Sequence, residues 1–487
     1  RRRHAPVRRP RRLRRPAAIS FLALLALLAL PAGAQPPPPP RVAFEPPAVA
    51  LARLDSLQGI VRAEESRVRT ALGIEANWDR LARAWFQVGD HARAAKCLER
   101  ARSIGAREFD TALLSGRVAR SEGRFAEAVE WLERAARMRP DDWEAHEDLG
   151  LALYLAGRLP EAADHWERAR ALPGSGAPAR TGLLETMRLV GDHPYRVSGR
   201  GRERLRFVPE TARGALVVPV RVNGRGPFLF RIDTGSPEVV LGRSLAQELG
   251  LETLAGGEAG AFVGERPVRF DYAALDSLTL GETTLHRLPV AVSDHPGLGG
   301  TQGVRGTLGF EALRRFRFCL DLPDSALWVE PPGSPGAAAD TARPAWAPPG
   351  AVAHRVPVLL RGTHLLVVYG HVNGGPERPF LLDTGGPGIG LAAPTSTLAE
   401  AGIGVDTTQA HTGSSAAGPV GYFRFPVARL CVGGACRDSL AGVYGIFPAR
   451  LELNPNFRLA GLVSNGFLSR YRLGVDLSRR EVWLVEP

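Results

Sequence analysis

The spacing of apolar positions changes once along the chain and divides it into two regimes. Between about 75 and 176, small and large apolar residues recur every 34 positions. Gly89, Gly123 and Gly157 keep that interval, as do Ala94, Ala128 and Ala162, and again Ala101, Ala135 and Ala169. Leu98, Leu132 and Trp166 stand between the alanines in the same register. Such columns predict paired helices that approach at the alanines and interlock at the large residue, with the glycine closing the first helix of each pair. Trp78, Leu81 and Trp85 follow one another at helical spacing and read as core. The stretch 181–189 is expected to cap the array.

From about Leu205 onward the pattern turns to short β-branched runs broken by Gly and Pro, which predicts an all-β region. This region is duplicated. Val222-Asn223-Gly224 and Asp233-Thr234-Gly235 recur 150 positions later as Val372-Asn373-Gly374 and Asp383-Thr384-Gly385. Gly306, Leu313, Asp321 and Trp328 recur 155 positions later as Gly461, Leu468, Asp476 and Trp483. Two copies, 205–331 and 351–487, are therefore joined by a Pro-, Gly- and Ala-rich linker at 332–350.

The 34-residue period resembles the tetratricopeptide repeat family, with repeats at about 75–108, 109–142 and 143–176. A Pro-rich segment and lead helix at 35–74 precede them, and a cap and linker at 177–204 follow. The resemblance implies an α-helical solenoid whose concave face can hold a protein partner, or that serves as a spacer.

Composition adds less than its headline suggests. Hydrophobic residues make up 44% and charged residues 23%, as in ordinary globular proteins. The net charge of +12 points to nucleic acid until its position is considered: nine arginines fall within Arg1–Arg15, and without them the charge is +3. No nucleic-acid partner is expected. The arginines precede 14 largely apolar residues and the small-residue pattern Ala32-Gly33-Ala34, so 1–34 reads as a signal peptide and the chain's only tie to a membrane. Export to the periplasm or the extracellular space is expected. Of the four cysteines, Cys431 and Cys436 bracket a Gly-Gly turn between strand-like runs and are expected to form a disulfide across a hairpin. No spacing of Cys and His suggests zinc.

Each Asp-Thr-Gly follows an apolar run, Phe228-Leu229-Phe230-Arg231-Ile232 or Phe380-Leu381-Leu382, and is expected where a buried strand ends. A carboxylate there is costly without partners. The two copies resemble the pepsin and retropepsin class of aspartic peptidases, with both lobes in one polypeptide. That resemblance implies catalytic roles for Asp233 and Asp383, which meet across a pseudo-twofold axis. It implies supporting roles for Thr234, Gly235, Ser236, Thr384 and Gly385. The threonines would tie the loops together, the glycines would bring backbone N–H groups to the carboxylates, and Ser236 would donate to the outer oxygen of Asp233. Gly386 has no hydroxyl to offer Asp383. Ser464 replaces the glycine found at Gly309 and either fits behind its loop or pushes it outward. The glycine-rich stretches 255–264 and 412–421 read as hairpins over the substrate.

The overall expectation is a multidomain protein, a tetratricopeptide solenoid followed by an all-β bilobed pepsin-like domain. The lobes form a monomeric pseudo-dimer that folds on its own. By the same resemblance the chain is an exported aspartic endopeptidase acting on polypeptides, with no cofactor or metal. The alternative is an inactive retropepsin-like and repeat-bearing scaffold of the cell envelope.

Overall fold

A computed structural model describes residues 42–487 apart from 106–107, 200, 209–215, 261–266, 295–302, 335–343, 345, 387, 416–417 and 453–456. The signal-peptide segment, the polyproline run and much of the linker between the copies lie outside the described residues. Among the described residues, no helix is long and apolar enough to cross a membrane.

A 24-residue helix, Pro47–Thr70, leads into the solenoid. The three repeats are the helix pairs Glu75–Val88 with His91–Ser103, Phe109–Ser121 with Phe125–Met138, and Trp143–Ala156 with Leu159–Ala171. Their boundaries follow the 34-residue period. Gly89 and Gly157 end the first helices of repeats one and three in the left-handed conformation, which a glycine adopts without a Cβ penalty. The interlock at the large column is tight. A Cβ on Gly150 would stand 2.5 Å from the Trp166 ring, so the glycine is what lets that indole enter. The helix Thr181–Val190 closes the array.

Each β copy is built on an eight-stranded sheet, seven strands of the first and all eight of the second coming from the copy itself, and the two copies are built alike. In the first, strand Arg225–Ile232 runs parallel to Val304–Leu308, which pairs antiparallel with Val240–Gly242. In the second, Arg378–Leu382 runs parallel to Gly461–Val463, which pairs antiparallel with Leu391–Ala392. The short strand Arg196–Ser198, inside the segment read as cap and linker, adds an edge to the first sheet by pairing with His286 to Thr284. It is too short and polar to show an alternating pattern.

A third sheet of six strands joins the lobes. Glu203–Arg206, Arg317–Asp321 and Ala326–Glu330 come from the first copy, and Ala353–Pro357, Arg472–Asp476 and Glu481–Val485 from the second. The halves meet at Phe318 opposite Val475 and Leu320 opposite Leu473. Trp346, in the linker, packs on Gly474 of this sheet. Cys431 and Cys436 face each other across the hairpin of strands Gly418–Val432 and Ala435–Tyr444 and are disulfide-bonded. Cys97 and Cys319 are buried free thiols.

The repeats are not a free-standing module. Repeat one lies on the second lobe: the Gln87 carbonyl accepts from the Arg458 backbone N–H at 2.8 Å, the Tyr369 hydroxyl donates to the Gly89 carbonyl, and Phe86 and His91 meet Phe457 edge-on. Repeat three and the cap lie on the first lobe. Arg314 Nη2 donates to the Leu155 carbonyl at 3.1 Å, and a Cβ on Gly182 would stand 2.7 Å from the Ala255 carbonyl oxygen. Leu155 joins the core of the β lobes, and Tyr154, Leu183 and Met187 share a core with Phe270, Tyr272 and Ala291. Excising 205–487 would expose these apolar faces, which argues against the independent folding expected of that segment.

Candidate active site

Phe230 and Ile232 point into the lobe core, while Arg231 and Asp233 take the other side of the strand. The strand ends at Ile232, and the Asp233 N–H donates to the Leu308 carbonyl at 3.2 Å. The Asp383 N–H donates to the Val463 carbonyl at 3.1 Å in the same way. The aspartates therefore occupy equivalent places, one per lobe, and both are buried.

The two loops are joined by reciprocal bonds. The Thr234 N–H donates to Thr384 Oγ1 at 3.2 Å, and the Thr384 N–H donates to Thr234 Oγ1 at 3.1 Å. The two hydroxyl oxygens lie 3.2 Å apart. Gly235 lies against the opposite carboxyl: a Cβ there would stand 2.8 Å from Asp383 Oδ1, so a side chain is excluded. Gly235 N–H donates to Asp233 Oδ1 at 2.9 Å, and Gly385 N–H donates to Asp383 Oδ1 at 2.7 Å. Thr234 and Thr384 thus join the two loops, and Gly235 and Gly385 each present an N–H to the aspartate of their own loop. Asp233 Oδ2 is buried and, among the described residues, has no hydrogen-bond partner.

Burial pushes both carboxyl groups above the usual range. Asp383 rises further because the charge of Asp233 bears on it, whereas Arg231 and the N–H groups of Gly235 and Ser236 hold Asp233 down. Two such groups titrate as a pair and share one proton over a range of pH. The unlike surroundings favour the proton on Asp383.

Ser236 departs from expectation. Its hydroxyl donates to the Glu238 carbonyl at 3.2 Å and not to Asp233. The loop folds back there because the Phe310 and Glu311 N–H groups each hold a carbonyl of this turn, Ser236 and Pro237, at 2.8 Å. Ser464 does not displace its loop. Its hydroxyl lies within donating distance of the Asp383 and Gly386 carbonyls, at 2.6 and 3.0 Å, and accepts from the Gly386 N–H at 3.1 Å. Asn465 Nδ2 adds a bond to the Thr384 carbonyl at 2.6 Å.

Both glycine-rich stretches belong to hairpins. Leu254–Gly260 pairs with Pro267–Leu280, and His411–Ser415 pairs with Gly418–Val432; the tips lie outside the described residues. Three further residues bear on the site and were not singled out from the sequence. Arg231 and Thr307 sit beside Asp233 on the same sheet. Glu238 is buried, its carboxyl pushed up to about 8 by burial and by the charge of Glu311, while the charge of Arg180, from the helical region, pulls it down. The signal for Arg231 was present, a charge inside an apolar run two residues before the motif. Thr307 likewise interrupts the apolar segment Gly306-Thr307-Leu308-Gly309, whereas Glu238 left no such signal.

Residues 218–312 match the aspartyl protease family, and 80–142 and 113–176 match the tetratricopeptide repeat family. The first match ends before Asp383, so the second lobe rests on the internal duplication and on equivalent strand topology. No curated protein sequence matches. Similar solved structures are tetratricopeptide proteins. MamA 41-end from Desulfovibrio magneticus RS-1 is 20% identical, with a TM-score of 0.24 over 26% of this chain and 72% of that one. YrrB, titled a TPR protein with an unusual peptide-binding site, is 18% identical, with a TM-score of 0.23 over 26% of this chain and 65% of that one. Tetratricopeptide repeats and an aspartic protease fold are thus joined in this one chain.

Proposed function

We propose that the protein is an exported aspartic-type endopeptidase that hydrolyses polypeptides with a water activated between Asp233 and Asp383. The observation that carries this reading is the reciprocal threonine bonding that brings two buried, mutually interacting carboxyl groups together at equivalent strand ends. Asp233, beside Arg231, is the ionised member and takes a proton from the water. Asp383 holds its proton and donates to the carbonyl oxygen of the scissile bond, so a tetrahedral diol forms without a covalent enzyme intermediate. As the diol collapses, the proton on Asp233 passes to the leaving nitrogen and Asp383 recovers its own. The helical repeats hold the two lobes in register and present their remaining surface to a polypeptide partner.

Cleavage of a mixed peptide library by the full chain tests this. Asp233→Asn and Asp383→Asn are each expected to lower kcat/KM by at least about a thousandfold, since each removes one half of the acid–base pair. Activity should rise with pH as the pair loses its first proton and fall as it loses its second, both steps lying above the usual carboxylate range because both groups are buried. Retention of full activity by both asparagine variants would leave only a binding role.

A further inference from the structure

In the first lobe a row of directly paired residues crosses the sheet on the side of Asp233. Val217 is opposite Arg231, Arg231 opposite Thr307, and Thr307 opposite Val240. Paired residues on neighbouring strands share a face. Val217 and Val240 are fully buried, so Arg231 and Thr307 form a polar spot in an apolar surround. Neither is satisfied there. Among the described residues, Arg231 Nε and Nη2 and Thr307 Oγ1 are all buried without a hydrogen-bond partner, as is Asp233 Oδ2 two residues along the strand.

Guanidinium nitrogens buried without an acceptor are costly, and native structures give most such groups a partner. Asp233 is the one acidic group that bears on Arg231, and it makes no hydrogen bond with it. The second lobe has nothing similar: Leu381 stands where Arg231 does, buried among apolar side chains. The cation therefore belongs to one side of the pair only. Arg231 keeps partial exposure, and alternate residues on a strand lie roughly 7 Å apart, about the reach of a side chain flanking a peptide bond held at Asp233.

We propose that Arg231, with Thr307 beside it, receives a carboxylate of the substrate adjacent to the scissile bond, so that the site selects polypeptides acidic at that place. This rests on the peptidase reading, and the test separates the two. The full chain is given matched peptides with Glu or Gln on either side of the scissile bond, each with a free or an amidated C-terminus. The Glu peptides are expected to be cut about 10- to 100-fold faster, the worth of a charge-assisted hydrogen bond. Arg231→Met should bring the ratio of Glu- to Gln-peptide rates to about one, whatever it does to both rates together through Asp233, and Arg231→Glu should turn the preference toward Lys or Arg. A preference that follows the free C-terminus would make the chain terminus the source of the carboxylate. Equal loss on Glu and Gln peptides, with the acid limb of the pH profile moved upward, would show that Arg231 only tunes Asp233 and would overturn the proposal. If the wild type cuts nothing, calorimetry with the Glu and Gln peptides decides: tighter binding of Glu that Arg231→Met abolishes keeps the carboxylate site and sinks hydrolysis, and equal binding sinks both.

Discussion

The two lobes solve the same packing problem behind their aspartates with opposite residues. In the first lobe a serine follows Asp233-Thr234-Gly235 and a glycine, Gly309, passes behind. In the second a glycine, Gly386, follows the motif and a serine, Ser464, passes behind. The contacts show why the hydroxyl changes place. A Cβ on Gly309 would stand 2.0 Å from the Glu238 carbonyl oxygen, so nothing larger than hydrogen fits. In the second lobe Gly388 stands where Glu238 does, and a Cβ on Gly386 would instead stand 2.7 Å from Ser464 Oγ. In the first lobe backbone carbonyls exclude a side chain at Gly309, whereas in the second the Ser464 side chain itself occupies the space beside Gly386, and both aspartates keep equivalent places.

The sharpest way to break this comparison is to put the second lobe's serine into the first. Gly309→Ser must push the backbone at Glu238 aside, and a loss of more than about 3 kcal/mol is expected, with kcat/KM down at least a hundredfold as the Asp233 loop shifts. Thermal melts and peptide cleavage would show it, and an unchanged Tm would refute the exclusion at Gly309. The reverse exchange should be mild: Gly386→Ser is expected to be tolerated better with Ser464→Gly than alone.

Glu238 sharpens the comparison next, because the second lobe has no acid there. Its folded carboxyl sits near about 8, above the ordinary value of 4.5, so the protonated form is favoured by the fold. The unfolded chain gives up that proton first as pH rises, and stability is therefore lost between about pH 4.5 and 8. Glu238→Gln should match wild type near pH 5 and exceed it by about 3 kcal/mol near pH 8. Denaturant melts at the two pH values would measure the difference, and parallel curves would place the charge of Glu238 in solvent. The smallest effect is expected from Ser464→Ala, which keeps the Cβ and loses the hydroxyl. About 1–2 kcal/mol should go, with the loss concentrated in the second lobe and visible as faster amide exchange at Gly386.

These outcomes also measure how far the sequence could be read. The repeat boundaries, the duplication and both aspartates were legible because each leaves a local or periodic trace, such as the 34-residue columns or the motif at the end of an apolar run. The role of Ser464 was not, because its meaning depends on Gly386, which lies 78 residues earlier and touches it only in the fold. Ser236 was misread for a related reason: the direction of its hydroxyl is set by Phe310 and Glu311, from another strand connection. The docking of the repeats on both lobes was hidden most completely. Contacts such as Gly89 with Tyr369 or Gly182 with Ala255 join segments of unrelated period and add no pattern of their own.

That docking makes the solenoid a strut between the lobes: its first repeat is bonded to the second lobe at Gln87 and Gly89 and its third to the first lobe at Leu155, so helices brace the lobes alongside the six-stranded sheet they share. The notch at Gly150 that seats Trp166 lies within this brace.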